Sequence, residues 1–139
     1  MATTTFRGKY FFLSNFYPTK IWIDGMLYPS AEHAFQALKC ARGEDRIAIS
    51  VCRSAKEAKK AGRQVQMRAD WEDVKVDVMH RILSAKFSQN ATLLAMLIDT
   101  SNEELIEGNC WGDTYWGVCQ GEGQNALGKL LMQVREELK

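Results

Sequence analysis

Three stretches of this chain carry polar side chains that a packed core would not need. The first is Leu13-Ser14-Asn15-Phe16-Tyr17-Pro18 and the second is Glu32-His33-Ala34-Phe35-Gln36-Ala37-Leu38-Lys39. The third is the run 107–125, which holds Asn109, Trp111, Asp113, Tyr115, Trp116 and Asn125. Glu32, Gln36 and Lys39 recur at steps of four and three, the spacing of one helix face. Carboxylates and amides set among aromatic rings suit a planar, polar ligand, because rings stack on a base and amides read its edges.

Each of these residues also has a plainer reading. Ser14 and Asn15 serve a turn. Glu32 serves as a first-turn charge on a helix dipole. His33 reads as a structural histidine with both nitrogens satisfied, and Lys39 as a solvated lysine. Trp71 falls on a core stripe, and Trp111, Tyr115 and Trp116 serve as a buried loop anchor. Lys56, Lys59, Lys60, Arg63 and Arg68 form a cationic cluster. It reads as a solvated face, with phosphate binding as the functional alternative.

Motifs that would decide the matter alone are missing. No G-x-G-x-x-G or G-x-S-x-G occurs, and Gly121-Glu122-Gly123 lacks the G-K-[ST] of a P-loop. Cys40, Cys52, Cys110 and Cys119 have no C-x-x-C spacing. Zinc needs close ligand pairs, so no metal and no cofactor is expected. With no signal-like N-terminus and no long apolar run, the expected compartment is the cytoplasm, with no membrane partner. The four cysteines are then expected as buried thiols.

The elements that would position these residues can be read from spacing. Ile21-Trp22-Ile23-Asp24-Gly25-Met26-Leu27-Tyr28 is a hairpin signal, since Asp-Gly suits a type I′ turn. Ser30 caps a helix expected over 31–41, with Ala34, Leu38 and Ala41 as its apolar stripe. The segment around Ile47, Ile49 and Val51 stays open in type. Ser54-Ala55-Lys56-Glu57 is a capping box, and the glycine at 62 should stop its helix. Asp70 should cap the longest helix, where Trp71, Val74, Val78, Ile82 and Ala85 recur at steps of three and four. Gln89-Asn90 should end it. Leu93, Leu94, Leu97 and Ile98 make a short buried helix, and Ser101-Asn102-Glu103-Glu104 reads as another capping box. The glycine- and aromatic-rich run 108–123 reads as a long ordered loop. A last helix is expected over 125–138, with Leu127, Leu130, Leu131, Val134 and Leu138 inward.

The 139 residues suffice for one sizeable core and are too few for two ordinary domains. The expectation is therefore a mainly α, compact single domain over 1–139 with one small β-hairpin. Hydrophobic residues at 46% and charged residues at 25% exclude a disordered or fibrous chain. A net charge of +1 excludes a global basic excess for holding nucleic acid.

Taken together, these segments resemble the NADAR family. The resemblance rests on Phe6-Arg7-Gly8-Lys9-Tyr10, Phe12-Leu13-Ser14-Asn15-Phe16-Tyr17-Pro18, Asp24-Gly25, Tyr28 and the Glu32 to Lys39 motif. It continues through Trp71, Met79, Lys86-Phe87, Leu97, Thr100, Leu105 and Glu107. It closes on Asp113-Thr114-Tyr115-Trp116-Gly117, Gly123-Gln124-Asn125-Ala126-Leu127-Gly128, Leu131-Met132 and Arg135. It covers nearly the whole chain in order.

The resemblance implies a YbiA-like helical fold and hydrolysis of N-glycosidic bonds. It implies removal of ADP-ribose from a guanine base, notably in DNA, or cleavage of phosphoribosyl-amine intermediates of riboflavin synthesis. The implied partners are an ADP-ribosylated nucleobase or a nucleotide-like small molecule and modified DNA, and the resemblance allows a toxin–antitoxin context. The loop carries Val118-Cys119-Gln120 where relatives carry more glycine, so base selectivity is expected to differ there.

Cleaving an N-glycoside builds positive charge at the anomeric carbon, so a carboxylate should stabilise it or activate water. Glu32 and Asp113 are the expected carboxylates. The resemblance adds Lys39, whose amine, if desolvated, could attack the sugar C1. Asn15, Gln36 and Asn125 are expected at ribose hydroxyls or base edges, and Arg7 and Gly8 at a phosphate. Trp111, Tyr115 or Trp116 is expected to stack on the base, and Phe16 and His33 complete the expected binding set. Two other classes stay open: a non-catalytic module that binds ADP-ribose or a nucleotide, and a structural protein.

Overall fold

The computed structural model describes residues 2–3 and 5–139. Contacts gather the chain into two compact units, one of Asn15–Gln89 and one of Met1–Ser14 with Asn90–Lys139.

The unit Asn15–Gln89 is built on the hairpin. Strands β2 (Pro18–Ile23) and β3 (Met26–Ser30) pair antiparallel, with Ile21 opposite Tyr28 and Ile23 opposite Met26. Asp24 and Gly25 both take positive φ, 52° and 78°, as a type I′ turn requires. Helices α1 (Ala31–Leu38), α2 (Gly43–Ser50), α3 (Ala55–Gly62) and α4 (Trp71–Ser88) follow. Ile21, Ile23, Tyr28, Ala34, Ile49 and Ile82 belong to one buried cluster.

The unit that holds both chain ends contains β1 (Ala2–Thr3), paired parallel with β4 (Glu104–Leu105), and a 3-10 helix over Gly8–Leu13. It also contains α5 (Ala91–Asp99), β5 (Gly108–Asn109), β6 (Val118–Cys119) and α6 (Ala126–Glu137). Leu13, Leu97, Leu105, Leu131 and Val134 are buried in it.

The mainly helical character and the hairpin follow the sequence expectation, and α4 is the longest helix at 18 residues. Several details differ. Helix α1 stops at Leu38 because the chain beyond it bonds elsewhere: Lys39 C=O accepts from Arg68 N–H and Ala41 N–H donates to Gln66 C=O. Ala41 is therefore exposed instead of extending the apolar stripe. Gly43–Ser50 resolves as a helix that buries only Ile49. Asp70 precedes α4 but makes no side-chain cap, because its carboxylate pairs with Arg68 at 2.6 Å. The buried seam of α4 runs through Met79, Ile82, Leu83, Lys86 and Phe87, so Val74, Val78 and Ala85 are only half-buried. Ser101 starts no helix: it takes φ 57°, and the chain enters β4 three residues later. All four cysteines are free thiols, but only Cys40 is buried; Cys52 and Cys119 are half-buried and Cys110 is exposed, contrary to the expectation of buried thiols. No helix among the described residues is long and apolar enough to cross a membrane.

Candidate active site

Helix α1 presents the densest polar arrangement. Ser30 ends β3 in extended backbone and its Oγ accepts from His33 N–H at 3.2 Å. That cap starts the helix where the sequence places it. Unlike an ordinary amphipathic helix, α1 buries Ala31, Glu32, His33, Ala34, Gln36, Ala37 and Leu38, nearly its whole circumference. Buried polar groups need partners, and α1 supplies them. Gln36 Nε2 donates to Glu32 Oε2 at 3.0 Å. Glu32 N–H donates to the Asn15 carbonyl at 2.9 Å, which ties the helix start to the Ser14-Asn15 turn.

Lys39 sits at the C-terminal cap of α1 and is half-buried. Burial lowers its pKa from the usual lysine value; Cys40 and Glu32 push it back up and Arg63 presses it down. A larger share of neutral amine follows, which a nucleophile needs. Glu32 and Lys39 are seven residues apart, about 10 Å along the axis on one face.

Around this helix, Asn15 Nδ2 reaches Met79 Sδ at 3.5 Å, and its buried Oδ1 has no hydrogen-bond partner in the chain. Phe16 is half-buried, with Lys59 Nζ 5.8 Å from its ring centre. Trp71 is buried and tilts on Phe35 with ring centres 5.1 Å apart. His33 is fully committed: Nε2 lies 2.9 Å from the Cys52 carbonyl and Nδ1 2.6 Å from Ser30 Oγ. A carbonyl only accepts, so Nε2 carries the proton and Nδ1 accepts from the Ser30 hydroxyl. No ring nitrogen is left over for a ligand.

Sequence reasoning assigned no role to Lys86. Its side chain is fully buried on α4, with Nζ 5.8 Å from the Tyr17 ring centre and 5.2 Å from that of Phe87. Burial pulls its pKa down to about 7. The available signal was register: Lys86 falls four residues after buried Ile82 and seven after buried Met79.

In the other unit, the loop between Glu107 and Ala126 spends its polar side chains on its own backbone. Asn109 Nδ2 donates to the carbonyls of Asp113 and Val118, at 2.8 and 3.3 Å. Its Oδ1 accepts from Trp111 and Asp113 N–H groups, at 3.3 and 3.0 Å. Asp113 Oδ1 accepts from Tyr115 and Trp116 N–H groups, at 3.1 and 2.9 Å. Those bonds fix the edge-to-face Tyr115–Trp116 pair, 4.9 Å between centres. Asn125 takes φ 53°, accepts from Glu107 N–H and donates to Leu105 C=O, both at 2.9 Å. Both ends of its amide are thereby engaged. Trp111 is 57% exposed. Asn109 is the organiser that the site reading passed over, although an Asn four residues before an Asp in a glycine-rich run is a local turn signal.

Arg7 precedes the 3-10 helix and is exposed. It lines a cleft of about 530 Å³ with Thr5, Ile106, Asn109, Val118 and Gln120. Gly8 takes φ 58°, and a side chain there would meet only open space. The described residues contain no group of three or more His, Cys, Asp or Glu arranged to hold a metal ion.

Comparison with known proteins agrees with the resemblance. The chain is 41% identical over 128 residues to the N-glycosidase YbiA of Escherichia coli, covering 90% of this chain and 79% of that one. It is 41% identical over 133 residues to the riboflavin biosynthesis protein VVA0006 of Vibrio vulnificus, covering 92% of this chain but spanning only 35% of that protein's length. It is 37% identical over 143 residues to the chloroplastic riboflavin biosynthesis protein PYRR of Zea mays, of which it spans 23%. The NMR structure of Escherichia coli YbiA superposes with a TM-score of 0.87 at 39% identity, covering 99% of this chain and 86% of that one. The NADAR domain matches residues 4–139, and with that match the sequence motifs, the fold and the relatives converge: the chain belongs to the NADAR domain family.

Proposed function

We propose that the protein is an N-glycosidase that cleaves the bond between a ribose C1′ and a nitrogen of a planar base. The observation that carries this reading is the polar row on α1: a buried carboxylate held by an amide, and a half-desolvated amine on the same face. Relatives at 41% identity named N-glycosidase support the same chemistry.

In this reading Lys39 Nζ bonds to C1′ as the C1′–N bond to the base breaks, and the base leaves with a proton. Glu32 faces the positive charge that develops at C1′. The sugar ring opens to a Schiff base on Lys39. Water then adds across the C=N bond, releasing the free sugar and restoring the amine. Asn15, whose carbonyl accepts from Glu32 N–H, orients the sugar from beside the helix start, and Gln36 acts through the Glu32 carboxylate that it holds. Taken by itself, the other unit offers an exposed Trp111 ring, suited to stacking on a base, and an exposed Arg7, suited to a phosphate. Asp113 acts by holding the Tyr115–Trp116 pair.

The substrate we propose is ADP-ribose linked to guanine, in nucleic acid. The exposed cations Lys56, Lys60 and Arg63 on and beside α3 support a substrate with several phosphates, since none of the three has an acidic ion-pair partner among the described residues. A second reading is cleavage of phosphoribosyl-amine intermediates of riboflavin synthesis, which the names of the Vibrio and maize relatives favour.

Mass-spectrometric turnover separates them. Wild-type protein is mixed with an ADP-ribosylated guanine oligonucleotide and, separately, with riboflavin-pathway phosphoribosyl-amines. Release of ADP-ribose supports the first reading, and turnover of the amines alone the second. Binding of ADP-ribose without turnover of either would make the protein a binding module and overturn both.

A further inference from the structure

Gly62 closes α3, and its sequence role is that of a helix-stopping glycine. The structure gives it a different one. Gly62 lies inside the helix without positive φ, and the cap that follows is Arg63 in ordinary right-handed helical conformation. The backbone therefore does not require glycine at 62. The space does. A Cβ at 62 would fall 2.6 Å from Gln36 Cδ and 3.1 Å from Gln36 Cβ, and nearer still to Gln36 Oε1. The neighbour that would be displaced is the amide that bonds Glu32.

We propose that Gly62 is a positioning residue for the reactive carboxylate: the room it leaves lets the Gln36 amide lie on α3 with Nε2 directed at Glu32 Oε2. The orientation of the amide follows from charge. Turned over, it would set its oxygen against the carboxylate, so Nε2 faces Glu32 and Oε1 faces Gly62, where it is buried without a hydrogen-bond partner. An unsatisfied buried oxygen is costly, and the Nε2–carboxylate bond, strengthened by charge, compensates. An alanine at 62 favours the helix by propensity, yet it pushes the amide out of this geometry. Glu32 then loses a donor to its ionised form, and its titration moves to higher pH.

The inference rests on Glu32 as the reactive carboxylate only for its effect on rate; the contact itself is read separately. Carbon-13 NMR of the Glu32 carboxyl, assigned with Glu32→Gln, is titrated in wild type, Gly62→Ala, Gln36→Ala and the double variant. Gly62→Ala is expected to raise the Glu32 midpoint by about one pH unit, the scale of one lost charge-assisted hydrogen bond. In the Gln36→Ala background, Gly62→Ala is expected to add nothing. On whichever N-glycoside wild type turns over, kcat falls about tenfold in Gly62→Ala with KM unchanged.

An unshifted midpoint in Gly62→Ala, or an equal shift with Gln36 already removed, overturns the proposal. If Gly62→Ala does not fold, the double variant must fold, because the amide that crowds position 62 is gone and only the 3.1 Å contact with the Cβ of residue 36 is left to relax; failure there overturns it too. A midpoint that shifts as expected while no variant turns over substrate leaves Gly62 as the positioner and removes the N-glycosidase reading.

Discussion

Helix α1 and the loop between Glu107 and Ala126 use the same kinds of residue in opposite ways. On α1 the backbone is satisfied by the helix, so Glu32 and Gln36 bond each other and Lys39 is left half-desolvated beyond them. In the loop no regular ladder exists beyond the two-residue strands, so Asn109, Asp113 and Asn125 satisfy the backbone themselves. Polar side chains are therefore available for chemistry where regular structure satisfies the backbone, and carry structure where it does not. Among the loop's aromatic residues Trp111 is the exposed one, at 57%.

That contrast makes the two regions fail differently. On α1, Lys39→Ala should lower kcat at least about a thousandfold while leaving the fold intact. Borohydride added during turnover should link the sugar to Lys39 in wild type alone; turnover by wild type with no adduct at Lys39 would remove the covalent step. A buried amine in the same unit predicts a stability effect. Lys86 titrates at about 7 in the folded chain and near 10.4 when unfolded. Between those values the unfolded chain binds the additional proton, so stability should rise with pH by about 1.4 kcal/mol per unit from this group. Denaturant unfolding at pH 7 and pH 9.5 should show that rise in wild type and a flatter profile in Lys86→Met.

In the loop the losses should be structural. Asn125→Ala leaves the Glu107 amide and the Leu105 carbonyl without their partner and should cost about 2 kcal/mol, seen as a lower denaturation midpoint. The smallest effect is expected at Trp111. Its replacement by alanine should raise KM several-fold with no change in Tm, because its ring is largely exposed. A drop in Tm there would mean that Trp111 packs as an anchor.

Much of the fold could be read from local signals. Asp24-Gly25 defined the hairpin, Ser30 and Ser54 capped their helices through the bonds expected of them, and Gln89 ended α4. The misses came from non-local partners. Asp70 failed as a cap because Arg68 took its carboxylate, and α1 ended early because residues 39–41 bond to residues 66–68. Gly62 had the right boundary and the wrong reason. The motif Glu32 to Lys39 was legible as one face, but its burial was not, since periodicity predicts one wet face and α1 has almost none. The bonds that occupy His33 and Asn125 join residues up to 20 apart and leave no mark in spacing.

The central claim is that Glu32 on α1 faces the charge that develops at the sugar carbon. The measurement that tests it most directly is kcat for Glu32→Gln, with Tm measured alongside, on the substrate that wild type turns over. The account predicts a loss of about a hundredfold or more in kcat, with a cooperative unfolding transition retained. Near-normal turnover in folded Glu32→Gln would contradict it.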